Sequence, residues 1–390
     1  MTWMVIALAA CGDDGGERNT TPDAPEVLRY PVGFEVRGDT PLLVAFADND
    51  GTWSAVPTSA DNKYSIQATN KHAIAMVCGS ASYGYRTQIE LRTRFDSAPF
   101  FFCFNGDDVP IQTFSVTGEM MQPGEVQMGA RAEGTTAPWM FDLTVSSGPH
   151  DLVAFGANMA LVRRDISVDA ATTVPAIDLA QGGAAYATTP VILGNTMTDE
   201  TIETISSVFT GNDIADYVRP GTTVYALPSS LLDVIDFQFS EIRASTATTR
   251  RTAPIEEGAA SAMITLMPRL SGIVFTETGA MWSALPESTA ELRLSSGSAN
   301  NTQTIHASGG YIDGDKEISV TLDIPGFDDA WRITAATAKS FTAYDDENLD
   351  TTFLQGATSA RQLEPRSRPL LTDRALRVQS AAAAAARARR

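Results

Sequence analysis

Residues 64–77 read YSIQATNKHAIAMV: an aromatic, alternating apolar positions, a turn, and a second apolar alternation that starts at His72. An alternation of period two is that of β-strands, and two such runs joined by a short polar turn point to antiparallel sheet rather than helix. Residues 141–155, FDLTVSSGPHDLVAF, lie over the same pattern, with His150 on His72 and, after one inserted residue, Leu152 and Ala154 in phase with Ile74 and Met76. The offset of about 78 residues is the length of a small β-sandwich, so the two segments read as halves of related units.

Working outward, the chain from Val27 is a succession of short apolar runs punctuated by Gly, Pro, Asn and Asp. The clearest hairpin is Leu42 to Phe46, a turn at Asp48-Asn49-Asp50-Gly51, and a return strand from Trp53. YSIQA, AIAMVC, QIELRTRF and FFFCF follow it. Helical periodicity is scarce, with ETIETISSVF (200–209) and SSLLDVIDF (229–237) as the short candidates. AQGGAA (180–185) reads as a linker, and MWSALP (281–286) echoes TWSAVP (52–57). The expected class is all-β: tandem immunoglobulin-like or transthyretin-like antiparallel β-sandwich domains at 27–110, 111–182, 188–268 and 269–364. Residues 365–390, with their alternating Pro and Arg and a run of alanines, are expected to form a disordered basic tail.

The second unit shows FSVTGEM, EVQMGARA, WMFDLTVSSGPHDLVAF, LVRRDISV and PAIDL in order. That succession, opened by Val116-Thr117-Gly118 and centred on the hairpin Phe141 to Phe155, resembles the carboxypeptidase regulatory-like, or transthyretin-like, sandwiches of bacterial surface proteins. The resemblance implies a fold and carries little about function.

The 390 residues carry a formal charge of −19, and the distribution is uneven. After Ala360 there are eight Arg and two acids, a balance of +6, which leaves −25 on residues 1–360. An acidic body of this kind repels nucleic acid and anionic headgroups, so no nucleic-acid partner is expected. Only Lys63, Lys71, Lys316 and Lys339 are lysines, so arginine supplies most of the positive charge. No apolar stretch is long enough for a transmembrane helix.

The N-terminal segment 1–10 ends in Leu8-Ala9-Ala10, directly before Cys11, and GDDGG follows. Small residues before a cysteine at the end of an apolar run resemble the lipobox of bacterial lipoproteins, where a signal peptide is cut ahead of the cysteine and the thiol takes a diacylglycerol. Met1-Thr2-Trp3 carries no Lys or Arg, a departure from that pattern. The resemblance implies that Cys11 is lipidated, with palmitate among the acyl groups. Residues 11–26, rich in Gly, Asp, Thr and Pro, would then be a flexible tether. Several acyl chains, each methylene worth about 0.8 kcal/mol when buried, hold a chain stably to a bilayer.

With Cys11 assigned to lipid, Cys78 and Cys103 remain as an even pair, and an extracytoplasmic compartment permits a disulfide between them. His72, His150 and His306 are the only histidines, and none has zinc-ligand spacing. The first two occupy matching places in the repeat, which argues for a shared structural role. GSASYG (79–84) lacks the nucleophile-elbow spacing, and no P-loop is present. Calcium is the one metal worth weighing: ADNDG (47–51) and YIDGDKE (311–317) place Asp48, Asp50, Asp313 and Asp315 in turns, where the same residues also serve turn geometry alone. Trp53, Trp139, Trp282 and Trp331 are expected in sandwich cores, with an exposed carbohydrate-stacking platform as the alternative. No cofactor and no enzymatic activity are expected. The expectation is a lipid-anchored, extracytoplasmic protein of the bacterial cell envelope with a binding, adhesive or structural role, its partners being the membrane and an envelope protein or carbohydrate. The rival is an extracytoplasmic, glycan-acting hydrolase with accessory sandwiches.

Overall fold

The computed structural model describes residues 28–48, 51–106, 112–134, 138–255, 261–298, 300–333, 338–345 and 351–356. The fold is all-β and layered. The first unit has seven strands: β1 Tyr30–Gly38, β2 Leu43–Asp48, β3 Trp53–Val56, β4 Lys63–Ala68, β5 Lys71–Ser80, β6 Gly84–Thr93 and β7 Phe100–Cys103. One sheet has the order β4-β1-β7, with β1 antiparallel to β4 and parallel to β7. The facing sheet runs β3-β2-β5-β6, antiparallel throughout.

The second unit repeats this order strand for strand. It comprises β8 Thr113–Met120, β9 Gly124–Met128, β10 Ala130–Gly134, β11 Trp139–Ser146, β12 Gly148–Gly156, β13 Met159–Val168 and β14 Thr172–Thr173. Its sheets are β11-β8-β14 and β10-β9-β12-β13, again with the last strand parallel to the first. Gly118 of the Val-Thr-Gly stretch lies where an added Cβ would collide with the Phe141 ring and with Val174, so only glycine lets β8 and its cover approach. After a short helical turn α1 (Leu179–Gly182), β15 (Ala184–Ala185) pairs with the outer edge of β13. The expected linker 180–185 is therefore folded, and it blunts a sheet edge.

The third unit follows with β16 Ala187–Gly194, β17 Thr201–Phe209, β18 Ile214–Pro220, β19 Thr223–Ala226, β20 Phe237–Ser245, β21 Thr249–Ile255 and β22 Ala262–Thr265. Its sheets, β19-β16-β22 and β18-β17-β20-β21, have the same order and the same parallel closing strand. The helix candidate at 200–209 is thus strand β17, as its β-branched Ile202, Thr204, Ile205 and Val208 favour once strands flank it on both sides. Residues 229–237 form one short turn, Ser229–Leu231, and then lead into β20. The fourth unit has β23 Val274–Phe275, β24 Gly279–Met281, β25 Glu291–Gly297, β26 Thr302–Ser308, a turn α2 (Gly309–Ile312), β27 Glu317–Ser319, β28 Ala338–Tyr344 and β29 Thr351–Gly356. The order β26-β25-β28-β29 with β24 against β27 is once more that of the first unit, preceded by the extra strand β23.

Strand pairing does not stop at the unit boundaries. The large sheets of the third, fourth and first units join edge to edge into one sheet of 12 strands, β18-β17-β20-β21-β29-β28-β25-β26-β6-β5-β2-β3. Antiparallel pairing of β21 with β29 makes one seam, and parallel pairing of β26 with β6 makes the other. Sequence alternation specifies which face of a strand is buried, but an edge strand's unpaired N–H and C=O groups accept any neighbour of suitable register.

The repeat explains a second feature. On β5, Ile74, Met76 and Cys78 face the first unit's own core with Phe34, Tyr64 and Phe101. The alternate residues Ala73, Ala75 and Val77 face the other way and pack with Trp282, Leu292 and Phe341 of the fourth unit. Strand β12 does the same: Leu152 and Ala154 point into the second unit, while Val153 and Phe155 pack on Val208, Ala215 and Tyr217 of the third. Each repeated hairpin therefore supplies a strand buried on both faces. The six-residue echo has no such basis, because Trp53 lies on β3 and Trp282 just after β24, which are different places in the unit, although both rings enter one core.

Candidate functional site

Cys11, Asp50 and the segments 1–26 and 365–390 lie outside the described residues. Cys78 on β5 and Cys103 on β7 form a disulfide that ties the two sheets of the first unit, with Cα atoms 5.5 Å apart. Of the calcium candidates, Asp48 accepts the Thr69 amide at 2.9 Å and pairs with Arg29 at 2.6 Å, while Asp315 pairs with Lys71 at 3.0 Å. Asp313 is the residue after α2. Among the described residues no group of three or more His, Cys, Asp or Glu side chains is placed to hold a metal ion. Trp53 and Trp282 are buried, and the Trp53 indole N–H donates to the Thr321 carbonyl at 2.9 Å. Trp139 and Trp331 are half-buried against Phe141 and Phe327. The four rings lie in or against cores and do not form an exposed platform.

His150 sits at the junction of the second and third units. Its Nδ1 faces Asp213 Oδ2 at 2.9 Å, and Ser146 Oγ lies 3.3 Å from Nε2. Serine, histidine and aspartate in this sequence of contacts are the parts of a nucleophilic triad. Yet Nε2 is closer to the Ser146 carbonyl oxygen, at 2.8 Å, an acceptor that takes an N–H and leaves no lone pair to receive the hydroxyl proton. The histidine is a clamp between units. Beside it Asp151 accepts from the Asn212 and Asp165 backbone N–H groups, and Arg164 reaches Asp236 of the third unit at 2.5 Å. A β-bulge opposite Asp151 puts Asp165 at φ 54. Bulges of this kind re-aim a side chain, here Arg164. Burial pushes the Asp213 carboxyl up from its ordinary value, while the hydrogen bonds to Asp151 outweigh burial and hold that carboxyl down.

A second polar cluster, Arg251 with Glu200, Arg269 and Asp199, lies near the seam of the third and fourth units. Arg251 is fully buried and meets both Glu200 oxygens at 2.9 and 2.5 Å. Arg269 bonds Glu200 at 3.0 Å and reaches Asp199 at 2.7 Å. Every strong donor in it is matched, so it reads as a structural staple.

The candidate binding site is at the end of the first sandwich where β1 begins. There a cavity of about 210 Å³ opens between the β1 segment 31–33, the ends of β5 and β6, and the turn 94–99. His72 continues the inward row of Ile74 and Met76 to the point where the apolar core runs out, and its side chain lines the cavity. The residue is 2% exposed, and neither ring nitrogen has a hydrogen-bond partner of good geometry. Burial pushes its imidazole below the ordinary histidine value, an effect that the Thr69 carbonyl and the Asp96 and Asp48 carboxylates only partly offset. Opposite His72 on β6 is Arg92, whose Nε and Nη2 are held by Glu90 at 2.9 and 2.5 Å. Asp96 accepts from the Thr93 amide, the Thr93 hydroxyl and Ser308 of the fourth unit, all three at Oδ2. Arg94 is exposed, with its guanidinium over Tyr30 at 4.5 Å and over Phe95 at 4.3 Å, and among the described residues it makes no ion pair.

The histidine at the repeat was legible in the sequence as structural; its unsatisfied ring was not. The matching His150 is fully bonded, so two equivalent positions have diverged into a clamp and a cavity wall. No protein family matches this chain, and no curated protein matches it.

Proposed function

We propose that the chain is a lipid-anchored protein of a bacterial cell envelope, held at Cys11, that carries its four β-sandwich units outside the cytoplasm in a binding, adhesive or structural role without catalysis of its own. The single observation that carries this reading is the Cys78–Cys103 disulfide. Bridges of this kind persist in oxidising compartments such as the periplasm and cell surface and are rare in the cytosol. An Ala-Ala-Cys end to an apolar segment, followed by a Gly- and Asp-rich stretch, supports the same compartment from the other end of the chain. Sandwiches fused through shared sheet edges and strands buried on both faces suit a rigid body that presents a site at a distance from a membrane.

The test is metabolic labelling with a palmitate analogue in a bacterial host. Label on the wild type and none on Cys11→Ala is the expected result. An unlabelled wild-type protein would overturn the anchor.

A further inference from the structure

We propose that the cavity walled by His72 and Arg94 binds the oxyanion of a small solute, a carboxylate or a phosphate monoester. Three observations lead there. Buried side-chain polar atoms are hydrogen-bonded in the large majority of cases, so a buried imidazole with no well-aligned partner points to a group that completes it. His72 faces a cavity of about 210 Å³, room for a compact ligand. Arg94 at the same cavity makes no ion pair among the described residues, and its guanidinium lies over the Tyr30 and Phe95 rings at 4.5 and 4.3 Å. A guanidinium presents its N–H groups in a fork that matches carboxylate and phosphate oxygens, and stacking on aromatics orders it before the ligand arrives.

The other charges at the cavity sharpen the choice. Arg92 is bound to Glu90, and Asp96 accepts at Oδ2 from Thr93 and Ser308. Arg94 disfavours a cationic ligand, the Asp96 carboxylate at the same cavity being engaged through Oδ2 by Thr93 and Ser308. A neutral sugar would leave that guanidinium unused. Thr93, Ser97, Ala98 and Pro99 complete the wall across from the β1 segment.

Proton linkage follows from the same geometry. The groups facing His72 are Asp48 opposite it on β2, Arg92 opposite it on β6, Asp96 in the turn, and the Thr69 carbonyl. Because burial holds the ring neutral, an arriving anion favours the imidazolium and draws in a proton. Affinity therefore rises as pH falls toward the histidine range. The inference deepens the binding role proposed above but is independent of lipid at Cys11, so failure of the labelling test and failure here are distinguishable.

The experiment is a titration of the full chain, histidine ring signals being followed by NMR, with inorganic phosphate and separately with acetate as probes against matched NaCl. The chain has three histidines, so His72→Gln identifies the relevant signal. The expected result is a saturable shift of the His72 ring with a Kd on the order of 1–10 mM for such minimal probes. Arg94→Gln, a change at an exposed side chain, weakens the affinity at least about tenfold, and lowering the pH by one unit tightens it. Sedimentation with phosphatidylcholine vesicles, with and without phosphatidic acid, whose headgroup is a phosphate monoester, separates the sources. Arg94-dependent capture by the anionic vesicles assigns a lipid headgroup, and phosphate binding without capture assigns a free solute. A His72 ring unmoved by both probes to about 100 mM, or shifts of equal size and midpoint in Arg94→Gln, would overturn the proposal.

Discussion

Replacing Arg251 by Met removes a guanidinium that is fully buried while keeping most of its volume. Four contacts are lost: both Glu200 oxygens at 2.9 and 2.5 Å, and the Met267 and Asn195 carbonyls at 3.2 and 3.1 Å. Breaking one side of a buried ion pair costs about 3–5 kcal/mol, mainly by stranding the other charge. Here Glu200 keeps Arg269 at 3.0 Å and the Met197 amide at 3.0 Å, which places the expected loss near the lower end, about 3 kcal/mol. The pH dependence has a definite sign. Burial raises the Glu200 carboxyl, but Arg251, the Met197 amide and Arg269 outweigh it and hold the group below its ordinary value. The resulting stabilisation is present above the unfolded glutamate value of about 4.3 and is lost as pH falls through the folded value. The gap between wild type and variant should therefore narrow in acid. Because a chain of several units need not unfold in one step, hydrogen exchange at β21 and β29 is the local readout, with urea unfolding at pH 7 as the global one. A loss under about 1 kcal/mol at pH 7, or a gap that widens below pH 4, refutes the account of a buried charge pair. Removing Glu200 as well, in Arg251→Met with Glu200→Leu, should recover part of the loss.

Three further outcomes are expected. Phe155→Ala removes a buried ring stacked on Tyr217 at 4.8 Å, and should cost about 3–5 kcal/mol at the contact of the second and third units. Proteolysis should then open 180–187 before either sandwich unfolds; equal protection of that segment in variant and wild type argues against the shared face. Reducing the Cys78–Cys103 bridge, with its sequence separation of 25, should cost roughly 3.5 kcal/mol by the chain-entropy estimate, read as a lower urea midpoint for the first unit; an unchanged thiol count before and after reduction refutes the bridge. For His72, whose folded value is depressed, the unfolded chain binds more protons between that value and about 6.5, so stability rises with pH across that window. His72→Gln should flatten the slope there, and an unchanged slope would show that the ring is not held neutral.

The class and the repeat were legible because both rest on local pattern. YSIQATNKHAIAMV and FDLTVSSGPHDLVAF each alternate in phase, and in both units the first run lies in one sheet and the second in the other. The continuous apolar runs AIAMVC and LVAF also hold a signal for burial on both faces, since a strand with one wet face keeps polar residues on alternate positions. The third copy was harder to read. The segment from Glu200 into β17 carries Glu200-Thr201 and Glu203-Thr204 at spacings that mimic a helix, and its large sheet buries the hydroxyls of Ser206, Ser207 and Ser240. Hydroxyls that pair with each other across strands, as Ser206 and Ser240 do at 3.1 Å, erase the apolar contrast on which periodicity depends.

What the sequence by itself determined is the all-β class and the phase of the repeated hairpin, because alternation acts over short distances; the pairing of Cys78 with Cys103 was an expectation that leaned on Cys11 carrying lipid, and it is the structure that joins them. Only the tertiary structure decided that the large sheets of three units run together as 12 strands, since backbone edges carry no side-chain code for their neighbour. It also decided the fates of two equivalent histidines. Asp213, which is 63 residues from His150 in the chain, reaches that ring, and nothing of the kind reaches His72, which is left facing a cavity. Which partner a buried polar group finds depends on chain packing at long range, and short-range pattern has no access to it.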